Sequence, residues 1–171
     1  MAEIWEVYDE EGNPTGKAYD RSMPLFWEPG NYHLGADVWI INSDNKVLIQ
    51  KRSPKKRLEP DVWAMTGGTV IYGEIPVETV VREANEELGI YIPKDQLKLV
   101  TKFKTGNVWI MAHILKKNYD ISKMVFQQEE VSDAKWATLE EIDELFESGN
   151  FIKNRWEFIR SFIKQEIENK E

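Results

Sequence analysis

Residues 68–90 read GTVIYGEIPVETVVREANEELGI, and this stretch decides how the chain folds. Pro76 suits the first position of a helix and Gly89 suits the position just past its end, so a helix is predicted between them. Helical residues advance by about 100° each. Val77, Val81, Ala84 and Leu88 therefore share one face, spaced to pack on a sheet. Glu83, Glu86 and Glu87 stand at i, i+3 and i+4 and cluster on a different face. Three like charges this close destabilise a helix unless a cation compensates them. Carboxylate oxygens are hard ligands that suit Mg²⁺ or Mn²⁺ rather than a thiol-seeking metal. Arg82 flanks the cluster and Glu74 lies just ahead of the helix, in reach of the same place. Gly67 and Gly68 let backbone approach a ligand, because glycine carries no side chain to obstruct it.

Outward from this segment, the chain reads as alternating strands and helices. Residues 4–8 alternate like a strand, and the turn cluster 9–14 suggests a hairpin within an N-terminal extension, residues 1–30. Val38-Trp39-Ile40-Ile41 lies in a run, 35–42, that suits a strand buried on both faces. A turn at 43–46 leads to a strand at 47–50, then to a polar loop at 51–60. Further strands are expected at 97–104, 107–116 and 131–136. Thr138 and Glu141 form a capping box that opens a helix to about Ser148. Phe158, Ile159, Phe162, Ile163 and Ile167 give a helical stripe in the C-terminal segment, 151–171. No repeat or long linker divides the chain, so 1–171 is expected to be one α/β domain, a mixed sheet between helices.

Composition narrows the function. The chain has 171 residues, 42% of them hydrophobic, which suits one domain with a sizeable core. Its formal charge of −8 gives no electrostatic footprint for long nucleic acid or an anionic membrane. A small anionic substrate remains compatible if metal cations sit between it and the protein. There is no cysteine, hence no disulfide, thiolate zinc site or cysteine nucleophile. The N-terminus lacks the pattern of a secretory signal and no run of about 18 apolar residues occurs, so a cytoplasmic location is expected.

Glutamates at helical spacing commonly mark a solvated face; the whole string separates this segment from that case. It fits Gly-x5-Glu-x7-Arg-Glu-U-x-Glu-Glu-x-Gly-U, with U apolar, through Gly68, Glu74, Arg82, Glu83, Ala84, Glu86, Glu87, Gly89 and Ile90. This resembles the signature of the Nudix hydrolase family; only Ala84 is smaller than the usual aliphatic residue there. The likeness runs from roughly Tyr32 to Leu145, through the strand 47–52, the Trp63-to-Gly68 entry and Trp136 ahead of Leu139. It implies an α/β/α sandwich in which the signature forms a loop–helix–loop. The implied reaction is hydrolysis of a nucleoside diphosphate linked to another moiety, with water attacking phosphorus and divalent ions neutralising charge.

Carried over residue by residue, the resemblance makes Glu86 and Glu87 principal ligands of Mg²⁺ or Mn²⁺. Glu83 becomes a third ligand or the water-orienting base, and the Gly67 carbonyl completes the shell. Glu74 supports the metal waters and Arg82 holds the carboxylates in register. Gly68 and Arg52 are candidates for substrate contact, Arg52 equally for a surface ion pair. Glu129 and Glu130 are candidates for a further ligand or base, equally for a solvated loop. Lys55, Lys56 and Arg57 read first as a solvated loop that can steer an anion. Trp5, Trp27, Trp39, Trp63 and Trp109 read as packing residues, and His33 and His113 as structural.

Two rival readings stand beside this one. The N-terminal half resembles proteins related to isopentenyl-diphosphate isomerase, through residues 7–12, Arg21 and Tyr32-His33, but that isomerase uses a cysteine that this chain lacks. A non-catalytic nucleotide-binding module would be expected to lose glutamates that this chain keeps. A small nucleotide or other diphosphate is the expected partner, and the chain is expected to be a monomer or homodimer. The substrate pocket is expected to come from the N-terminal hairpin, Arg52 and the aromatic strands.

Overall fold

The computed structural model describes residues 2–23 and 28–169; Trp27 lies outside them. Nine strands and three helices occur among the described residues. Strands β1 (Ile4–Tyr8) and β2 (Pro14–Asp20) form an antiparallel hairpin. The main sheet holds β3 (His33–Ile41), β4 (Val47–Arg52), β5 (Trp63–Ala64), β6 (Thr66–Thr69), β7 (Lys98–Thr105), β8 (Val108–Lys116) and β9 (Val131–Ala137). It is mixed: β3 runs parallel to β8 and antiparallel to β6, while β4 pairs β5 and β9 antiparallel. The helices are α1 (Pro76–Leu88), α2 (Leu139–Glu147) and α3 (Trp156–Glu168).

β3 explains the layering. Leu34, Ala36, Val38 and Ile40 point into a core closed by Val80, Ala84 and Leu88 of α1. Trp39 and Ile41 point the other way, into a core closed by Ile142 of α2 and by Trp156, Ile159 and Ile163 of α3. A strand covered on both sides needs an unbroken apolar run, which is what 38–41 supplies. The result is the expected α/β/α sandwich with a mixed sheet.

The ends of α1 follow local rules. Pro76 opens it, and the Glu78 carboxylate accepts from the Ile75 N–H at 3.1 Å. Gly89 ends it at φ 67°, in the left-handed region that glycine adopts without strain. The packing face is rotated from the one expected. Thr79, Val80, Ala84, Glu87 and Leu88 are buried, whereas Val77 and Val81 are only half-buried. The segment between β8 and β9 covers one flank of the helix end: the Val125 and Gln127 N–H groups donate to the Leu88 and Glu87 carbonyls.

The C-terminal segment is not helical throughout. Phe151 bridges Trp63, the Ile152 N–H donates to the Trp63 carbonyl, and Asn154 has φ 60°. Helix α3 therefore starts only at Trp156. Just before it, Arg155 reaches the buried Asp37 of β3, Nε to Oδ2 at 3.1 Å. Burial pushes the Asp37 carboxyl up to about 6, against the opposing pull of Arg155.

Removing one partner of a buried pair leaves an uncompensated charge, at a cost of about 3–5 kcal/mol. Arg155→Met should therefore destabilise the protein by about that much near pH 8, measured by urea unfolding. The loss should shrink near pH 5, where Asp37 can take a proton instead. Arg160→Met, which breaks the more exposed pair with Asp143, should cost about 1 kcal/mol or less. Equal losses in the two variants would contradict the reading.

Candidate active site

An open cleft of about 780 Å³ runs over the second half of α1, between the β1 end of the hairpin and the loops around Arg52 and Glu130. Gly67, Gly68, Arg82, Glu83, Glu86 and Glu87 all line it. Arg52 and Glu130 line it too, whereas Glu74 and Glu129 do not.

Arg82 organises the group. Its Nε and Nη2 donate to the two oxygens of Glu74 at 2.7 and 3.2 Å, a forked pairing suited to a planar guanidinium. Its Nη1 donates to Glu83 at 2.8 Å and reaches Glu86 at 3.4 Å. Nη2 also reaches the Thr69 carbonyl at 3.4 Å, which ties the helix to the end of β6. The hydrogen bond to Glu74 raises the already high proton affinity of Arg82 further. Burial works to raise the Glu74 carboxyl, but hydrogen bonds from Arg82 and Thr79 outweigh it and hold it low. The cation that three helical glutamates require is, in part, Arg82.

Glu87 is different. It is 8% exposed, and Gln50 Nε2 donates to its Oε2 at 2.7 Å. Gln50 is held in turn by the Thr66 hydroxyl at 3.0 Å. Burial pushes the Glu87 carboxyl up to about 8, and the neutral amide does not offset this. Burial likewise raises the Glu83 carboxyl despite Arg82, and Glu86 adds to it. Glu86 itself is half-exposed.

The two glycines are required sterically. A Cβ on Gly67 would lie 2.5 Å from the Ala36 carbonyl oxygen, and one on Gly68 would collide with the Glu83 carboxylate. Glu83 therefore rests against β6 only because residue 68 has no side chain.

Other candidates separate. Arg52 lines the cleft, but its guanidinium donates to the Leu58 and Glu59 carbonyls at 2.9 and 3.0 Å rather than to a carboxylate. Glu130 lines the cleft and pairs with Lys56. Glu129 pairs with Lys55 on the outer surface, both well exposed. Trp5 is buried and stacks on His33, at 4.7 Å between centroids. Trp39 packs against Phe151 and Trp156. Trp63 is partly buried with Lys135 over its ring, and Trp109 sits beneath Lys102 and Lys104. His113 is buried with Nδ1 3.1 Å from the Asp37 carbonyl, and burial lowers its basicity. Gln50 is the residue that sequence reading missed; its signal is a single polar side chain closing the apolar run 47–49.

Among the described residues, no three acidic or imidazole groups already stand around a common point close enough to hold an ion. The donor set nevertheless fits one. Glu87 is a buried carboxylate with a neutral partner, Glu83 is beside it, and the Gly67–Gly68 backbone faces the same cleft.

The NUDIX domain model matches residues 31–162. The chain belongs to the Nudix family. An uncharacterized Nudix hydrolase of Listeria monocytogenes is 35% identical over 155 residues, which are 88% of each chain. The crystal structure of a Deinococcus radiodurans protein superposes with a TM-score of 0.74 at 23% identity, covering 95% of this chain and 98% of that one, a likeness of fold. An isopentenyl-diphosphate isomerase of Streptomyces avermitilis is 31% identical over 88 residues, 51% of this chain and 44% of its own. The enzyme class is thus that of a Nudix pyrophosphohydrolase. Nudix hydrolases act in general on nucleoside-diphosphate-linked substrates and use divalent ions. No helix among the described residues is long and apolar enough to cross a membrane.

The Glu87 environment has a consequence for stability without metal. With its folded value raised from 4.5 to about 8, the folded state holds a proton that the unfolded chain releases. That contribution is complete below about pH 4.5 and is lost as pH rises through 8. Urea unfolding in EDTA should show stability falling across this window, with a shallower fall in Glu87→Gln. An identical slope in the variant would contradict it.

Proposed function

We propose that this Nudix chain is a Mg²⁺- or Mn²⁺-dependent hydrolase of a diphosphate linked to another moiety, with water attacking phosphorus. The observation that carries this is the buried Glu87 carboxylate, paired only with a neutral amide, beside Glu83 on the floor of the cleft. Ionising a buried carboxyl calls for a compensating cation, and oxygen donors select hard divalent ions.

In this reading Glu86 and Glu87 hold the metal, with the Gly67 carbonyl as a further oxygen donor. When bound, the ion neutralises charge on the phosphate oxygens and makes the attacking water more acidic. Glu83, whose burial raises its affinity for a proton, orients that water and accepts its proton. Glu74 fixes Arg82, and Arg82 fixes Glu83 and Glu86 in register. Gly68 leaves space for Glu83 and lets the substrate approach the backbone. Arg52 and Glu130 border the cleft on the substrate side, and Lys56 supplies positive charge there. Residues 1–171 act as one domain in this reading, since the hairpin forms part of the cleft wall.

Glu86→Gln and Glu87→Gln should each lower kcat by about a hundredfold or more, the scale of several kcal/mol of lost charge stabilisation. Phosphate release from a diphosphate panel with Mg²⁺, against an EDTA control, measures this. Millimolar Mn²⁺ should also raise the melting temperature, because a ligand of the native state stabilises it. Full activity in either variant, or no shift with Mn²⁺, would overturn the metal assignment.

A further inference from the structure

The far wall of the cleft differs in chemistry from its acidic floor. Ile4, Ile71 and Tyr72 line it, together with Glu3 and Arg21 of the hairpin. Tyr72 is 59% exposed and Ile4 37%, large apolar surfaces left open beside a charged site. They are held side by side, because the Tyr72 N–H donates to the Ile4 carbonyl at 2.8 Å. Ile71 packs beneath them against the buried Trp5 and Val7, so the loop carrying Tyr72 is anchored to the hairpin. Glu3 is fixed as well: it accepts from Trp5 Nε1 at 2.8 Å and from Arg21 Nη1 at 2.9 Å.

We propose that Tyr72 and Ile4 form the subsite for the nucleobase of a nucleoside-diphosphate-linked substrate; this rests on the diphosphate-hydrolase reading above. A cleft of about 780 Å³ falls within the roughly 300–1,000 Å³ of ligand sites that enclose a molecule of nucleotide size. An exposed aromatic ring on an anchored loop offers a stacking surface for a base. Glu3 and Arg21 offer fixed polar groups to the edge of a base. A prenyl chain would leave the same groups facing hydrocarbon, which is unfavourable. The diphosphate then lies toward Arg82 and Glu83, and the base toward the hairpin.

The test compares kcat/KM with Mg²⁺ for nucleoside-diphosphate sugars, for a base-free dimethyl pyrophosphate and for a prenyl diphosphate. Wild type, Tyr72→Phe, Tyr72→Ala and Ile4→Thr are measured, with thermal melts as the check of fold. In parallel, binding of nucleoside 5′-monophosphates is titrated in EDTA. Wild type should prefer the nucleotide substrates. The ratio of nucleotide to base-free kcat/KM, and nucleotide affinity in EDTA, should fall at least about fivefold in Tyr72→Ala. Both should stay within about twofold in Tyr72→Phe, which keeps the ring, and should fall in Ile4→Thr. An unchanged ratio in Tyr72→Ala, or a wild-type preference for the prenyl or base-free substrate, would overturn the subsite and leave the diphosphate reading standing. Failure of wild type to hydrolyse all three would overturn both.

Discussion

The guanidinium of Arg82 joins the parts of this site that would otherwise separate. It spans from Glu74 on the loop to Glu83 and Glu86 on α1, and it touches the Thr69 carbonyl on the way. Without it, Glu83 and Glu86 would repel each other across less than one turn of helix. With it, α1 is fixed on β6, the strand that carries Gly67 and Gly68, and Glu83 rests where only a glycine leaves space.

That arrangement leaves one carboxylate out. Glu87 turns from the solvated side toward the sheet, where the neutral amide of Gln50, itself held by the Thr66 hydroxyl, meets it. The site therefore combines a compensated pair of carboxylates with an uncompensated buried one. A purely structural helix would gain from an apolar residue at 87, since burying a carboxylate is costly. Its retention beside a cleft is the physical ground for assigning a cation there. Perturbed carboxylates gathered in a cleft are a general mark of functional sites.

Much of this was legible in the sequence. The run 38–41 marked a strand covered on both faces, and Pro76 and Gly89 marked the ends of α1. The spacing of Glu83, Glu86 and Glu87 marked one surface. What escaped depended on long-range packing. Residues 125–127 cover one flank of α1, and the buried face comprises Thr79, Val80 and Glu87 rather than Val77 and Val81. The bridge between Phe151 and Trp63 delays α3 to Trp156. Glu129 and Glu130 are neighbours in the chain, yet only Glu130 lines the cleft, a difference set by the opposing Lys55 and Lys56. The hairpin was expected to contribute to the pocket, but its hydrogen bond to Tyr72 joins residues 68 positions apart, with no local pattern to mark it.

The account turns on where a divalent ion binds. Crystals soaked in Mn²⁺ and measured at the manganese absorption edge would locate it by anomalous scattering. The account predicts a peak within bonding distance of the Glu86 and Glu87 carboxylates, on the side facing Gly67. A peak elsewhere, or none at saturating Mn²⁺, would contradict it.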